Sequence, residues 1–365
     1  MKDFINIINS YQNITVADKP YAIATVIGIE GNSFRRSGLR MLITTDGKWI
    51  YEDVIGVLED SVFAKIQSAF FANKSIIINI DTAKEGAEIG VALGYRGVIQ
   101  LFINPKMDTH IQQLKTCLDE VDSQILITIV ESFEGANTAS GDMLIYKNDI
   151  QFFEKYGHIP FVEQLTDIAH QIWKRGRLDT PIIEQKSGQI KLFCEIITPQ
   201  PTLVLFGSQY DIPPFVTIAK TIGWKVVLVA KPEKLRKSIA SLADEVFGLE
   251  DMYQIKTNPY TAFILLSHLF DRDKNYLVQA LKTNVPYIGI LGPRRRFERM
   301  LTHLAAEGFN LNKEDKARLH APMGLDLGAT TQEEIAISTI AEVRAFFNNK
   351  QGGFLKNTEG DIHKR

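Results

Sequence analysis

The sequence predicts an α/β protein in two parts: an α+β domain over residues 1–198, then a doubly wound parallel sheet over 199–349. Three observations carry this. Beyond Pro199-Gln200-Pro201, short β-branched apolar runs alternate with helical segments, and parallel strands need such crossovers. Before that linker, one strand–loop–strand pattern occurs twice. And 365 residues are too many for one ordinary domain, so two is the natural division.

The elements follow in order. Phe4, Ile7, Ile8 and Tyr11 mark a short helix that stops at Asp18-Lys19-Pro20. Tyr21–Ile29 is a strand, Gly31–Arg40 a loop, and Met41–Thr44 a second strand. Thr45-Asp46-Gly47-Lys48 is a hairpin turn signal before Trp49–Tyr51. Val57, Val62, Ile66, Ala69 and Phe70 give residues 53–72 a helical apolar face. Lys74–Asp81 and Gly97–Ile103 are strands flanking the Gly-rich Gly86–Tyr95, and Thr109–Val121 is a helix. Ile125–Gly135 then echoes Ala22–Gly31, and Gly141–Ile145 echoes Gly38–Ile43. The pattern is a repeat whose second copy lacks the loop arginines; if the two loops share a shape, that difference marks the first as the functional one. A helix near 160–175 and a strand pair near Gly188–Thr198 close the domain.

In the second half, strand Thr202–Phe206 leads into helix Phe215–Thr221, stopped at Gly223, and into strand Lys225–Val229. A helix near Glu233–Ser241 follows. Then come strand Tyr260–Leu266, helix Lys274–Lys282, strand Pro286–Leu291, helix Arg294–Glu307 and helix Thr331–Asn348. The polar stretch 350–365 is expected to be disordered.

Composition excludes some classes. A net charge of -2 argues against a general nucleic-acid binder. Cys117 and Cys194 are far apart and outside any CxxC, so they suggest neither a zinc site nor a disulfide framework. The start lacks an apolar signal core, and no apolar run reaches membrane-spanning length, so the expectation is a cytoplasmic protein without a membrane partner.

Five stretches carry candidate chemistry. Gly31–Arg40 holds Gly38 with Arg35, Arg36 and Arg40. Such a loop suits a phosphate or another anion, or is a solvated hairpin loop. The turn Gly207–Asp211 lies at the carboxyl end of a buried strand, where open α/β sheets bind ligands. His268 follows another such strand, with Asp271 or Asp273 to orient it or to cap the next helix. Gly292-Pro293-Arg294-Arg295-Arg296 places arginines against a helix dipole, which an anion or nearby carboxylates would offset. In Ala321–Thr331, a capping box explains Thr331 and Glu334 and leaves Gly324, Asp326 and Gly328 unexplained.

Together these pieces resemble the XdhC/CoxI family of maturation factors for xanthine and carbon monoxide dehydrogenases. The resemblance is carried by Ala24–Ile50, Ser267–Asp273, Tyr287–Leu301 and, most specifically, Ala321–Ala345. It implies an XdhC/CoxI-type domain followed by a Rossmann-like domain, in a cofactor-binding chaperone rather than an enzyme. Such a protein binds the molybdenum cofactor (molybdopterin), works with a cysteine desulfurase, and serves a molybdenum hydroxylase apo-enzyme, usually as a homodimer. The implied contacts are Arg35, Arg36, Gly38 and Arg40 in the first part. In the second they are Gly207, Asp211, His268, Asp271, Asp273, Gly292, Arg294, Arg295, Gly324 and Asp326.

The chain departs from the family pattern at four places. Val57 and Tyr95 stand where the family has cysteines, and neither supplies a soft sulfur ligand. Gln209 replaces the second glycine of the Rossmann turn, and Ala230 replaces the acid expected after the second strand. An NAD(P)-linked oxidoreductase is therefore the alternative and NAD(P) an unlikely ligand. A third reading is a protein that has lost the ligand and kept an interaction surface.

Overall fold

The computed structural model describes residues 2–14, 21–32, 37–44, 49–50, 60–81, 96–105, 107–231 and 235–358. Arg35, Arg36, Val57, Tyr95 and the hairpin turn 45–48 lie outside these residues. The chain divides into two units, Met1–Thr198 and Pro199–Lys364.

In the first unit, helix α1 (Lys2–Ile14) precedes strands β1 (Tyr21–Asn32), β2 (Arg40–Thr44) and β3 (Trp49–Ile50). Helix α2 (Asp60–Ala72) and strands β4 (Ile76–Asp81) and β5 (Arg96–Asn104) complete a sheet ordered β3-β2-β1-β5-β4. Helix α3 (Met107–Asp119) then leads to β6 (Gln124–Glu131) and β7 (Met143–Tyr146). After helices α4 (Asp149–Tyr156) and α5 (Val162–Arg175) come β8 (Ile182–Gln185) and β9 (Gly188–Ile197), in a sheet ordered β7-β6-β9-β8. Helix α4 has only eight residues, too few for a periodic apolar signal in the sequence.

Alternation at period two builds two faces on each sheet. Ala22, Ala24 and Val26 of β1 pack in one core with Ile66 of α2. Ile23 faces α1 and the second sheet's Leu126, while Ile27 packs with Phe102, Val130 and Phe193. In β6, Ile125, Ile127 and Ile129 pack under α4 and α5.

The repeat holds at the level of single hydrogen bonds. Val26 donates its N–H to the Leu39 carbonyl (2.8 Å) and accepts from Gly38 N–H (2.7 Å). Ile129 does the same with Asp142 and Gly141, both at 2.8 Å. Gly38 and Gly141 share φ values of 94° and 93°, a left-handed region open to glycine. Bulges fall between Val26 and Gly28 and between Ile129 and Glu131. Ala22 pairs with Ile43 as Ile125 pairs with Tyr146. This register corrects the sequence alignment by one residue: Met143 stands at the place of Arg40, not of Met41. Ile23 pairs with Asn104 and Leu126 with Glu195, so Asn104 and Glu195 also correspond.

The second unit carries β10 (Thr202–Phe206), α6 (Ile212–Thr221), β11 (Lys225–Val229), α7 (Lys237–Ala240) and β12 (Glu245–Phe247). Strand β13 (Thr261–Leu265), α8 (Phe270–Leu281), β14 (Tyr287–Ile290), α9 (Arg294–Ala306), α10 (Lys313–Ala317), β15 (Leu319–His320) and α11 (Gln332–Phe347) follow. The sheet order is β12-β11-β10-β13-β14-β15, parallel throughout. Leu203 and Leu205 face α6 and α11, while Val204 and Phe206 face α8 and α9, so β10 is apolar on both sides. Strands β12 and β15, three and two residues long, were absent from the sequence reading because runs that short carry no periodic signal.

The chain leaves β10 in one direction to β11 and later resumes on its other side at β13. This switch point opens a crevice at the carboxyl ends of the strands.

Candidate functional site

The crevice is built where β10 and β13 end. A Cβ on Gly207 would lie 3.0 Å from the Leu266 carbonyl oxygen, so glycine there lets the two turns approach. Asp211 occupies the N-cap of α6. A capping carboxylate normally accepts from the second or third helical N–H. Here those positions are Pro213 and Pro214, which have none, and Asp211 makes no capping hydrogen bond.

The carboxylate is diverted instead. His268 Nε2 donates to Asp211 Oδ2 at 2.6 Å, and Oδ1 is buried with no partner among the described residues. Because Nε2 is the donor, Nδ1 of the neutral imidazole is an acceptor. His268 has φ 60°, a left-handed conformation that costs about 1–3 kcal/mol and recurs at functional sites. Tyr210 stacks near it, with ring centroids 6.1 Å apart. Beside this pair lies a cavity of about 300 Å³ lined by Ser208, Gln209, Tyr210, Arg236, Leu269 and Arg272. It is at the lower end of the roughly 300–1,000 Å³ usual for small-molecule sites.

A second knot ties the turns together. Asp273 is fully buried. Its Oδ1 accepts from Ser267 N–H (3.0 Å) and Ser267 Oγ (2.5 Å), and its Oδ2 accepts from Arg296 Nη2 (2.7 Å). Arg296 Nη1 also donates to the Leu291 carbonyl (3.3 Å), beside Gly292 at φ 120°.

These contacts revise the site. Gly207, Asp211 and His268 meet at the switch point. Asp273 is an anchor of the turn rather than a ligand contact, because neighbours occupy both oxygens. It does not cap α8, whose N-cap is Leu269. Asp271, Arg294 and Arg295 are exposed on the first turns of α8 and α9, and Arg296 is the arginine that enters the network.

Gly324 and Asp326 belong elsewhere. Gly324, at φ 107°, packs on Ser338 and donates its N–H to Glu342, while Asp326 is exposed. Glu342 also accepts from Tyr287 Oη (2.7 Å) and His320 Nδ1 (2.8 Å). Burial alone would raise the Glu342 carboxyl, but the hydrogen bonds from His320, Gly324 and Tyr287 outweigh it and hold it below its ordinary value.

In the first unit, Arg40 is also corrected. It is 4% exposed, and its guanidinium forks onto Glu195, with Nη1 at 3.0 Å from Oε2 and Nη2 bonded to Oε1. The same group lies over the Phe4 ring, 4.7 Å from its centroid, and donates to the Gly38 carbonyl at 3.3 Å. Arg40 is thus part of a core ion pair, and Gly38 shapes the strand end. Arg35 and Arg36 lie outside the described residues.

Both thiols are buried. Burial, with Glu195 adding and Arg40 opposing, pushes Cys117 up to about 12, and burial first, then Asp179 and Glu195, pushes Cys194 up. Among the described residues no cluster of three His, Cys, Asp or Glu could hold a metal ion. No described helix is long and apolar enough to cross a membrane.

Sequence reasoning missed Arg236, Arg272, Ser267 and Glu195 as contributors, and grouped Arg296 with Arg294 and Arg295 without separating it from them. One signal was available: an aspartate before two prolines cannot cap and needs another partner. The others are brought in by tertiary contacts with no local pattern.

Residues 203–343 match the family model described as XdhC Rossmann domain, and residues 16–81 the one described as XdhC and CoxI family. A Bacillus subtilis (strain 168) protein, named as one chain of a probable xanthine dehydrogenase, is 25% identical over 329 residues, 88% of this chain and 91% of its own. An uncharacterized Escherichia coli (strain K12) protein, YqeB, is 28% identical over 174 residues, 46% of this chain and 31% of its own. A crystal structure from Bacillus halodurans, described as a xanthine dehydrogenase, covers 98% of both chains with a TM-score of 0.64 at 22% identity, which shows a shared fold.

Proposed function

This chain belongs to the XdhC and CoxI family, and we propose that it acts as a maturation factor for a xanthine-dehydrogenase-type molybdenum hydroxylase. In this reading it is a cofactor-holding chaperone and not itself a dehydrogenase. The observation that carries the ligand reading is the Asp211–His268 pair at the switch point, next to a cavity flanked by Arg236 and Arg272.

The donor set fits the organic part of the molybdenum cofactor. Arg236 and Arg272 suit its phosphate. The unpartnered Asp211 Oδ1 and the His268 Nδ1 acceptor suit N–H groups on a pterin edge. The donor set does not fit thiolate ligation of the metal: Cys117 and Cys194 are buried and protonated, and Val57 and Tyr95 carry no sulfur. Bound there, the cofactor would bring a molybdenum centre held by the cofactor's own sulfurs. The protein's part is to bind, orient and shield it until transfer. A cysteine desulfurase and the apo-dehydrogenase are the proposed partners, the active form a homodimer, and the compartment the cytoplasm.

The NAD(P) reading has less support. Pro213 and Pro214 remove two N–H groups from the helix start that cradles pyrophosphate in dinucleotide sites. Gln209 and Ala230 take the places of the close-approach glycine and the ribose-binding acid.

The test is to express the chain during cofactor biosynthesis, purify it, and measure oxidised pterin fluorescence per mole. Stoichiometric pterin is expected, with loss in Asp211→Asn and in Arg236→Ala/Arg272→Ala. An Arg35→Ala/Arg36→Ala variant locates any contribution of the first loop. Retained NAD or NADP without pterin would replace this reading with the oxidoreductase one. Absence of pterin, with no capture of a molybdenum hydroxylase or desulfurase, would end it.

A further inference from the structure

The second repeat of the N-terminal unit holds a cavity that the proposed function does not use. It encloses about 410 Å³ between the first turn of α3, the β6–β7 loop and the end of α4. Met143, Leu144, Tyr156 and Ile159 give it an apolar floor, and all four are buried. Thr109, Lys155 and His158 stand exposed at its mouth.

Its walls are fixed by hydrogen bonds. Asn104 Nδ2 gives one hydrogen to the Gly141 carbonyl (3.0 Å) and the other to His110 Nδ1 (2.9 Å), which leaves the neutral imidazole its proton on Nε2. Asn137, at φ 56°, donates to the His158 carbonyl at 3.3 Å. Gln113 Nε2 donates to the Met143 carbonyl at 2.8 Å, so its Oε1 is the acceptor left over. That oxygen is buried with no partner among the described residues. A buried amide oxygen costs free energy until a donor reaches it. Asp142, the carboxylate in the lining, accepts from Ala139 N–H at 2.7 Å.

The repeat shows what stands at the corresponding place. By the correspondence of the two sheets, Met143 of the second sheet and Asn104 of the first stand where Arg40 of the first sheet and Glu195 of the second close on each other as an ion pair. On the cavity side the equivalent pair is a thioether and an amide instead of two opposite charges.

We infer that this cavity binds a small planar metabolite carrying one anionic group and at least one N–H donor, no larger than a purine mononucleotide. The flat body lies on the apolar floor. The N–H reaches Gln113 Oε1, and the anionic group meets Lys155 and His158 at the mouth. The volume is within the range of small-molecule sites. The inference stands apart from the cofactor reading, because the cavity lies wholly in the first unit.

The probe is guanosine 5′-monophosphate, titrated calorimetrically into the full chain, with guanosine and inorganic phosphate as its separated halves. One-to-one binding is expected, with each half weaker by about tenfold or more. Thr109→Trp, which plugs the mouth from an exposed position, and Lys155→Ala/His158→Ala are each expected to weaken binding by about tenfold. Arg236→Ala/Arg272→Ala is expected to leave it unchanged. Circular dichroism melts check folding, and if Thr109→Trp alters the melt, the Lys155→Ala/His158→Ala result decides. Absence of binding overturns the inference. So does binding that survives the plug in a folded variant, or that disappears only with the Arg236 and Arg272 changes.

Discussion

Arg40→Met is the most informative perturbation, because the equivalent pair Met143 and Asn104 already shows what can replace the ion pair. Arg40 and Glu195 side chains are 2% and 8% exposed. Removing the guanidinium leaves Glu195 buried without its counter-charge, and breaking such a pair costs about 3–5 kcal/mol. Arg40→Met/Glu195→Asn copies Met143 and Asn104, the residues at the equivalent positions. The new amide can donate to the Gly38 carbonyl as Asn104 donates to Gly141. Replacing a buried pair by neutral groups of similar volume is often neutral or stabilising, so the double variant is expected within about 1 kcal/mol of the parent. The assay uses the two cysteines, Cys117 and Cys194, both buried in the first unit. Pulse labelling of their thiols in urea reports unfolding of that unit alone. With a slope of about 2 kcal/mol/M, Arg40→Met should lower the midpoint by roughly 1.5–2.5 M and the second change should restore it. If the single variant is as stable as the parent, or the double is no better than the single, the buried-pair reasoning and the correspondence of the repeats are both wrong.

Other expectations follow from the second unit. Arg296→Ala should destabilise it by about 3 kcal/mol, since Asp273 loses its counter-ion in a fully buried position, whereas Arg294→Ala and Arg295→Ala should stay within about 0.5 kcal/mol. Urea unfolding followed by Trp224 fluorescence, in a background with Trp49 and Trp173 replaced by Phe, separates them. Gly207→Ala should cost about 1–3 kcal/mol, because the new Cβ meets the Leu266 carbonyl at 3.0 Å, and should disperse the His268 imidazole signals in NMR. The folded carboxyl of Glu342 sits below its ordinary value of 4.5, so the unfolded chain binds that proton more readily. Its contribution is present above about pH 4.5 and is lost as the pH falls through the lowered value. Glu342→Gln should therefore flatten the acid limb of a stability–pH profile, and an unchanged slope would remove Glu342 from the account.

The site was legible where one strand end or one turn carried the information. Asp211 and His268 each follow a buried apolar strand, and the parallel-sheet rule points to that edge. Their pairing was not legible, because the two residues are far apart in sequence and meet only when β10 and β13 become neighbours. Asp273 looked like a ligand-side residue because it follows His268 past a strand end, and Arg40 because it closes a glycine-bearing loop rich in arginine. Each instead neutralises a partner that the sequence cannot place beside it. Arg294, Arg295 and Arg296 are indistinguishable in the chain, and the helical turn alone aims the third at Asp273.

The sequence by itself determined the alternation of strand and helix, the linker at Pro199–Pro201, the capping box at Thr331, and a repeat in the first half. These depend on periodicity and local hydrogen-bonding chemistry, which act over a few residues. The tertiary structure decided the register of the repeat, the closure of Arg40 on Glu195, and the diversion of Asp211 from capping α6 to holding His268. Those depend on which strands become neighbours and on which buried charge finds a counter-charge. Desolvation makes an unpaired buried group costly, so such choices are settled only once the core has closed.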